Sequence, residues 1–117
     1  MPEEAIKKQL NTAKKSVCII LQKAGYTIER ASNSIYCVVA MRPTEWRAIK
    51  VGIKPIIASK WFLDEIRKLE RLPCPDSKTI KKEVWVRDQG EQNFCLYSYE
   101  NNVWIDEDSN PVDIFKH

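Results

Sequence analysis

From residue 2 to residue 24 apolar side chains return every three or four positions. Ile6, Leu10, Ala13, Val17, Leu21 and Ala24 form one stripe, widened by Ile20, which predicts an amphipathic helix. Pro2, Glu3 and Glu4 suit its N-terminus, and Gly25 suits its end as the residue most at ease with positive φ. Beyond Gly25 the period changes. Residues 26–31 predict a short strand, and Ser32-Asn33-Ser34 a turn. Residues 35–53 carry the densest β signal, in two runs parted by Arg42-Pro43-Thr44-Glu45, where proline fixes φ and removes a backbone donor. Val38, Val39, Ile49, Val51 and Ile53 are β-branched and suit a pleated, buried surface, so this stretch reads as a hairpin in the middle of a sheet.

Lys54-Pro55 ends regular pairing, and Ser59 is a suitable N-cap for a second helix reaching about Arg71. Phe62, Ile66 and Leu69 form its apolar stripe with Leu63 beside it, while Asp64, Glu65, Arg67, Lys68 and Glu70 supply a mixed polar face. Pro73-Cys74-Pro75-Asp76-Ser77 reads as a loop. A strand over 81–87 follows, with Val84 and Val86 on one side and Glu83, Trp85 and Arg87 on the other. Gly90 marks a turn, and residues 94–99 and 103–105 predict a hairpin joined through Glu100-Asn101-Asn102, because asparagine tolerates the positive φ of tight turns. The acidic stretch from Asp106 is expected to fray. The expected architecture is a single α/β domain over 1–117, with a core at about 5–87 and a hairpin at about 93–106. A mixed central sheet is flanked by helices in the order α-β-β-β-α-β plus the hairpin.

Composition adds limits. A chain of 117 residues that is 44% hydrophobic buries one core. No apolar run approaches the ~18 residues of a membrane span, and Met1-Pro2-Glu3-Glu4 lacks the apolar centre of a signal peptide, so the expectation is a cytoplasmic protein with no membrane partner. Cys18, Cys37, Cys74 and Cys95 lie far apart without a C-x-x-C pair, and the single histidine is His117. Buried free thiols are expected rather than disulfides or a zinc site, with Cys74 the exposed one, and no metal or cofactor is expected. Charge is uneven. Residues 1–82 hold 17 Lys and Arg against 8 Asp and Glu, whereas residues 83–117 hold 2 against 8, so a basic body carries an acidic end.

The helix ending in Gly25-Tyr26, the polar turn Ser32-Asn33-Ser34, then Tyr36-Cys37-Val38-Val39-Ala40, Arg47-Ala48-Ile49-Lys50-Val51-Gly52 and Lys82-Glu83-Val84-Trp85 carry a family likeness. Over residues 5–87 this pattern and element order resemble the PD-(D/E)xK, restriction-endonuclease-like nucleases, and most closely their small Holliday-junction-resolvase-like members. The resemblance implies an aspartate opening the second strand and an acid-x-lysine in the third. In this chain those places fall on Cys37, Lys50 and Gly52. Sulfur and ammonium stand where Mg²⁺ would need hard oxygen ligands, so the expectation is a catalytically silent relative. Glu29 and Glu45 are the nearest spare acids, and neither has a lysine at the family's offset; Glu45 and Lys50, five apart on a strand, point to opposite faces.

Without the metal site, phosphate contact remains open to the fold. Lys14, Lys15, Arg42, Arg47, Lys50, Lys54 and Lys60 are the candidates for a nucleic-acid-binding face, with DNA ahead of RNA, and the polar face of the first helix, Lys7, Lys8, Lys14, Lys15 and Lys23, is either a solvated surface or a set of phosphate contacts. A second class of function is a non-catalytic docking protein or homodimer, using Trp85, Trp104, Tyr97 and Tyr99 as anchors. A third is a metal-dependent nuclease with a rewired site.

Overall fold

Helix α1 spans Glu3–Lys23, and its end sets the entry to the sheet. Gly25 takes φ +93°, its N–H donates to the Gln22 carbonyl, and the Tyr26 N–H reaches back to Leu21. These two bonds satisfy carbonyls that the last helical turn would leave open, and the left-handed residue they need is the glycine. The computed structural model describes residues 3–30, 38–73, 79–88 and 92–115. Strands β1 (Thr27–Arg30), β2 (Val38–Met41) and β3 (Glu45–Ile53) follow α1; then come helices α2 (Lys54–Ile57) and α3 (Lys60–Glu70), and strands β4 (Thr79–Arg87), β5 (Phe94–Glu100) and β6 (Val103–Ile105).

One mixed sheet takes all six strands in chain order, with β3 and β4 parallel and every other neighbouring pair antiparallel. The expected order of elements is therefore the observed one, with one addition. Lys54-Pro55 does end β3, but proline is also tolerated at the start of a helix, and a single turn, α2, begins there. In the last hairpin Asn101 and Asn102 adopt φ of 51° and 64°, as a two-residue turn between right-twisted strands demands.

Helices cover the sheet on both faces. Lys50 pairs with Glu65 of α3, and a Cβ on Gly52 would run into Phe62, so the even-numbered side of β3 faces α2 and α3. Ile53 is in register with Arg87, whose guanidinium meets the Ser16 hydroxyl of α1 at 3.3 Å, so the odd-numbered side faces α1. β3 is consequently buried without interruption from Ala48 to Ile53. Ala13, Val17 and Leu21 of α1, Ile49 and Val51 of β3, and Phe62, Ile66 and Leu69 of α3 are all at most 1% exposed. Among the described residues three charged ones share this interior: Lys50, Glu65 and Glu83.

The acidic end does not fray. Asp106 Oδ1 accepts the N–H groups of Asp108 and Asn110, both at 2.9 Å, which closes a turn. The chain then returns along β6, with Val112 N–H donating to the Trp104 carbonyl, Ile114 buried, and the Arg67 guanidinium over the Phe115 ring at 4.1 Å. Apolar side chains beyond the acids anchor the segment, which charge alone did not reveal. Because strand order follows chain order, the uneven charge of the sequence becomes uneven in space. β1 lies at one edge and β6 with its acidic turn at the other, while the lysine-bearing helix packs across the face over β1, β2 and β3.

Candidate nucleic-acid interface

The three positions matched to the nuclease pattern come first. Cys37 lies outside the described residues. Lys50 is buried on β3, its Nζ 3.0 Å from Glu65 Oε1, with side-chain exposures of 6% and 11%, and the ammonium sits 5.7 Å from the centre of the Phe62 ring. Gly52 lies on the same face beneath Phe62, and a Cβ there would approach Phe62 Cζ to 2.6 Å. Gly52→Ala is therefore expected to cost about 1–3 kcal/mol through overpacking; urea unfolding checks it, and an unchanged midpoint would show that Phe62 moves aside freely. These two positions do not fit a divalent cation, since one offers an ammonium and the other no side chain. Among the described residues, no three His, Cys, Asp or Glu side chains gather as ligands.

On the opposite face, near the start of β3 and β4, a second polar group is fully connected. Arg47 Nε donates to Glu83 Oε2 at 2.7 Å, its Nη2 pairs with Glu83 Oε1, and the Trp85 indole N–H donates to the same carboxylate at 2.8 Å. The guanidinium also lies over the Tyr26 and Trp85 rings, 5.3 and 5.5 Å from their centres. Glu45 accepts from the Tyr26 hydroxyl at 2.6 Å and pairs with Lys81 at 2.8 Å. The Lys81 bond, then the Tyr26 bond, hold the Glu45 carboxyl below the usual carboxylate range.

That depression has a sign. The folded state binds the Glu45 proton less readily than the unfolded chain, so the contribution is complete above the unfolded pKa and fades as pH falls through the lower folded value. Glu45→Gln should melt below the parent at neutral pH, and the gap should close on acidification. A gap that stays constant in melts from neutral to strongly acidic pH would show that the carboxylate charge is not what stabilises the cluster.

The seven basic candidates do not converge on one face. Lys14 and Lys15 lie on α1, Arg42 stacks on Tyr26 at 4.0 Å and donates to the Ala24 carbonyl, and Arg47 is held by Glu83. Lys50 is interior, exposed Lys54 pairs with Asp88 at 3.1 Å, and Lys60 opens α3. Side-chain alternation explains part of the division, because it puts Arg47 and Lys50 on opposite sides of β3. Chain periodicity did contain a better row. Lys8, Lys15 and Lys23 are all exposed on α1 and lie seven and eight residues apart, so they share its outer surface. Sequence reasoning gave no site role to Tyr26, Lys81 or Glu83 and put Glu65 on the polar face of its helix, whereas it is buried; their partners are distant in the chain and meet only through strand register and helix packing.

The aromatic candidates for docking divide as well. Trp85 and Trp104 are 3% and 4% exposed and donate to Glu83 and Glu70, so they serve the core, and Tyr97 and Tyr99 are half-buried. Cys95, expected to be buried, is exposed on β5 because its side of the strand opens onto a pocket mouth; Cys18 is half-buried, and burial pushes its thiol pKa up. Cys74 lies outside the described residues.

No protein-family model matches the sequence, and no curated protein matches it. The architecture does match a solved structure, Hjc from Archaeoglobus fulgidus, a Holliday junction resolvase from an archaeal hyperthermophile, with a TM-score of 0.55, 16% identity and 86% of each chain covered. The fold is restriction-endonuclease-like. The resemblance read from residues 5–87 thus holds at the level of architecture.

The same likeness corrects one expectation. The chain was expected to be no enzyme because Cys37, Lys50 and Gly52 replace an acid, an acid and a lysine, yet its architecture is shared with a Holliday junction resolvase over most of both chains, and nothing in that likeness shows inactivity. A site in a restriction-endonuclease-like fold draws on several elements, so the contents of one linear pattern do not establish silence. No helix among the described residues is long and apolar enough to cross a membrane.

Proposed function

We propose that this protein binds nucleic acid, DNA ahead of RNA, by sequence-independent phosphate contacts from the outer surface of α1. The observation that carries this reading is the exposed row Lys8, Lys15 and Lys23, in a segment with no acidic residue between Glu4 and Glu29. At ~1.5 Å per residue the row is about 22 Å long, so three cations are presented along one rigid line. Lys14, half-buried on the flank, and exposed Arg42, at the end of the helix, extend the positive field; Lys54 and Lys60 belong to the opposite side. A resolvase acts on Holliday junctions, and branched or duplex DNA is the substrate class proposed here by analogy of fold.

Phosphate contacts release counterions, so affinity for a duplex or four-way junction should fall steeply with salt. Replacing Lys8, Lys15 and Lys23 by alanine should lower the slope of log K against log salt by about 2.7, three contacts at ~0.9 each. Fluorescence anisotropy across a salt series measures it. No retention at low ionic strength, or a slope unchanged in the triple variant, would end the proposal. The same junction incubated with Mg²⁺ and run on a denaturing gel reads whether binding leads to strand cleavage.

A further inference from the structure

Between the C-terminal half of β4, the start of β5 and the helices after β3 lies a pocket of about 390 Å³ that none of the contacts above uses. Phe62 and Ile66 of α3 and Val84 and Val86 of β4 give it a carbon-only floor, each at most 9% exposed. Register puts Tyr97 opposite Val84 and Cys95 opposite Val86, so both stand on the pocket's side of β5. Among the described residues the remaining polar groups are few: the Lys54–Asp88 pair and the Asn93 amide. An apolar chamber with a small set of donors and acceptors is the usual form of a small-molecule site, and this volume is near the lower end for one.

Charge narrows the ligand. Lys54 is the one cation among the described lining residues and is already engaged by Asp88. Asp106 and Glu107 act electrostatically on Tyr97, and with burial, the largest cause, they hold its hydroxyl protonated to higher pH than usual. A carboxylate or phosphate would therefore meet more negative than positive charge. A neutral ring whose edge alternates donors and acceptors would meet an ammonium, a carboxylate and an amide.

We infer that this pocket binds one neutral, planar heteroaromatic ring of nucleobase size, seated on the carbon floor and hydrogen-bonded along its edge by Lys54, Asp88 and Asn93. The ring has two sources, a free nucleoside or an unpaired base of a strand, and only the second rests on the nucleic-acid reading above.

Calorimetric titration of the full chain with adenosine should give saturable binding with Kd below about 1 mM. Adenosine 5′-monophosphate should bind about five-fold more weakly, because its phosphate meets the acidic surround. Adenosine should also protect Cys95, but not Cys18, from iodoacetamide in peptide mass spectrometry. Val86→Trp fills the chamber and should abolish binding; if it does not fold, the rim variant K54A/N93A decides, with an expected weakening of about ten-fold. An absence of saturable binding, tighter binding of the monophosphate, or unchanged affinity in a folded V86W or in K54A/N93A overturns the inference. A short oligonucleotide bearing one adenine among abasic sites, compared with the fully abasic strand, separates the sources. A base-dependent gain that V86W removes supports the strand source, and binding of adenosine without that gain supports the free nucleoside. The triple lysine variant should lose salt-dependent duplex binding and keep adenosine binding, so failure of either reading is distinguishable from failure of the other.

Discussion

Glu65→Leu is expected to lower the unfolding free energy by about 3–5 kcal/mol, because it strips a carboxylate from an ammonium buried in the centre of the protein. Lys50 Nζ lies 3.0 Å from Glu65, and the two side chains are 6% and 11% exposed, too dry for water to take over the charge. Lys50→Met is expected to cost a similar amount by stranding the acid. The double variant K50M/E65L should recover most of the loss or exceed the parent, since an apolar pair of similar volume carries no desolvation penalty. Urea unfolding of the four proteins forms a double-mutant cycle. Additive losses would show that the two residues are not coupled and that the buried pair is misread.

Glu83→Ala is the second large effect, again expected near 3–5 kcal/mol. It removes the acceptor of a two-point Arg47 contact and of the Trp85 indole N–H, in a residue 3% exposed. Glu83→Gln keeps the acceptor oxygen and should lose markedly less. The arrangement also bears on function. Arg47 has a guanidinium held in a fork and stacked between two rings, with a side chain only 16% exposed, so it is not offered to a phosphate. Arg47→Ala should destabilise the protein while leaving the salt dependence of DNA binding unchanged, the reverse of the α1 lysine variant. If R47A lowers the salt slope by about one contact's worth, ~0.9, the arginine belongs to the interface after all.

The elements were legible because their causes are local. The stripe from Ile6 to Leu21 needs only helical spacing, Gly25 needs only its freedom at φ +93°, and Asn101-Asn102 needs only asparagine's tolerance of positive φ. The acidic end was misjudged for the opposite reason. Asp106 organises its turn with its own side chain, but what holds the segment is Ile114 in the core and Phe115 against Arg67, contacts made at long range. The candidate site was less legible still. Seven basic residues were gathered by charge, and the fold distributes them between two faces and the interior.

By itself the sequence determined the kind and order of the elements, because backbone freedom and apolar periodicity act over a few residues. It also determined that residues 1–82 are basic and residues 83–117 acidic. Tertiary structure decided what those charges are for. Strand register sent Arg47 to Glu83 and the packing of α3 sent Glu65 to Lys50, consuming two cations inside, while the packing of α1 left Lys8, Lys15 and Lys23 facing water. A charge buried beside its partner stabilises the fold, and one held in water on a helix remains free to meet a polyanion, a distinction set by burial and distance rather than by residue type.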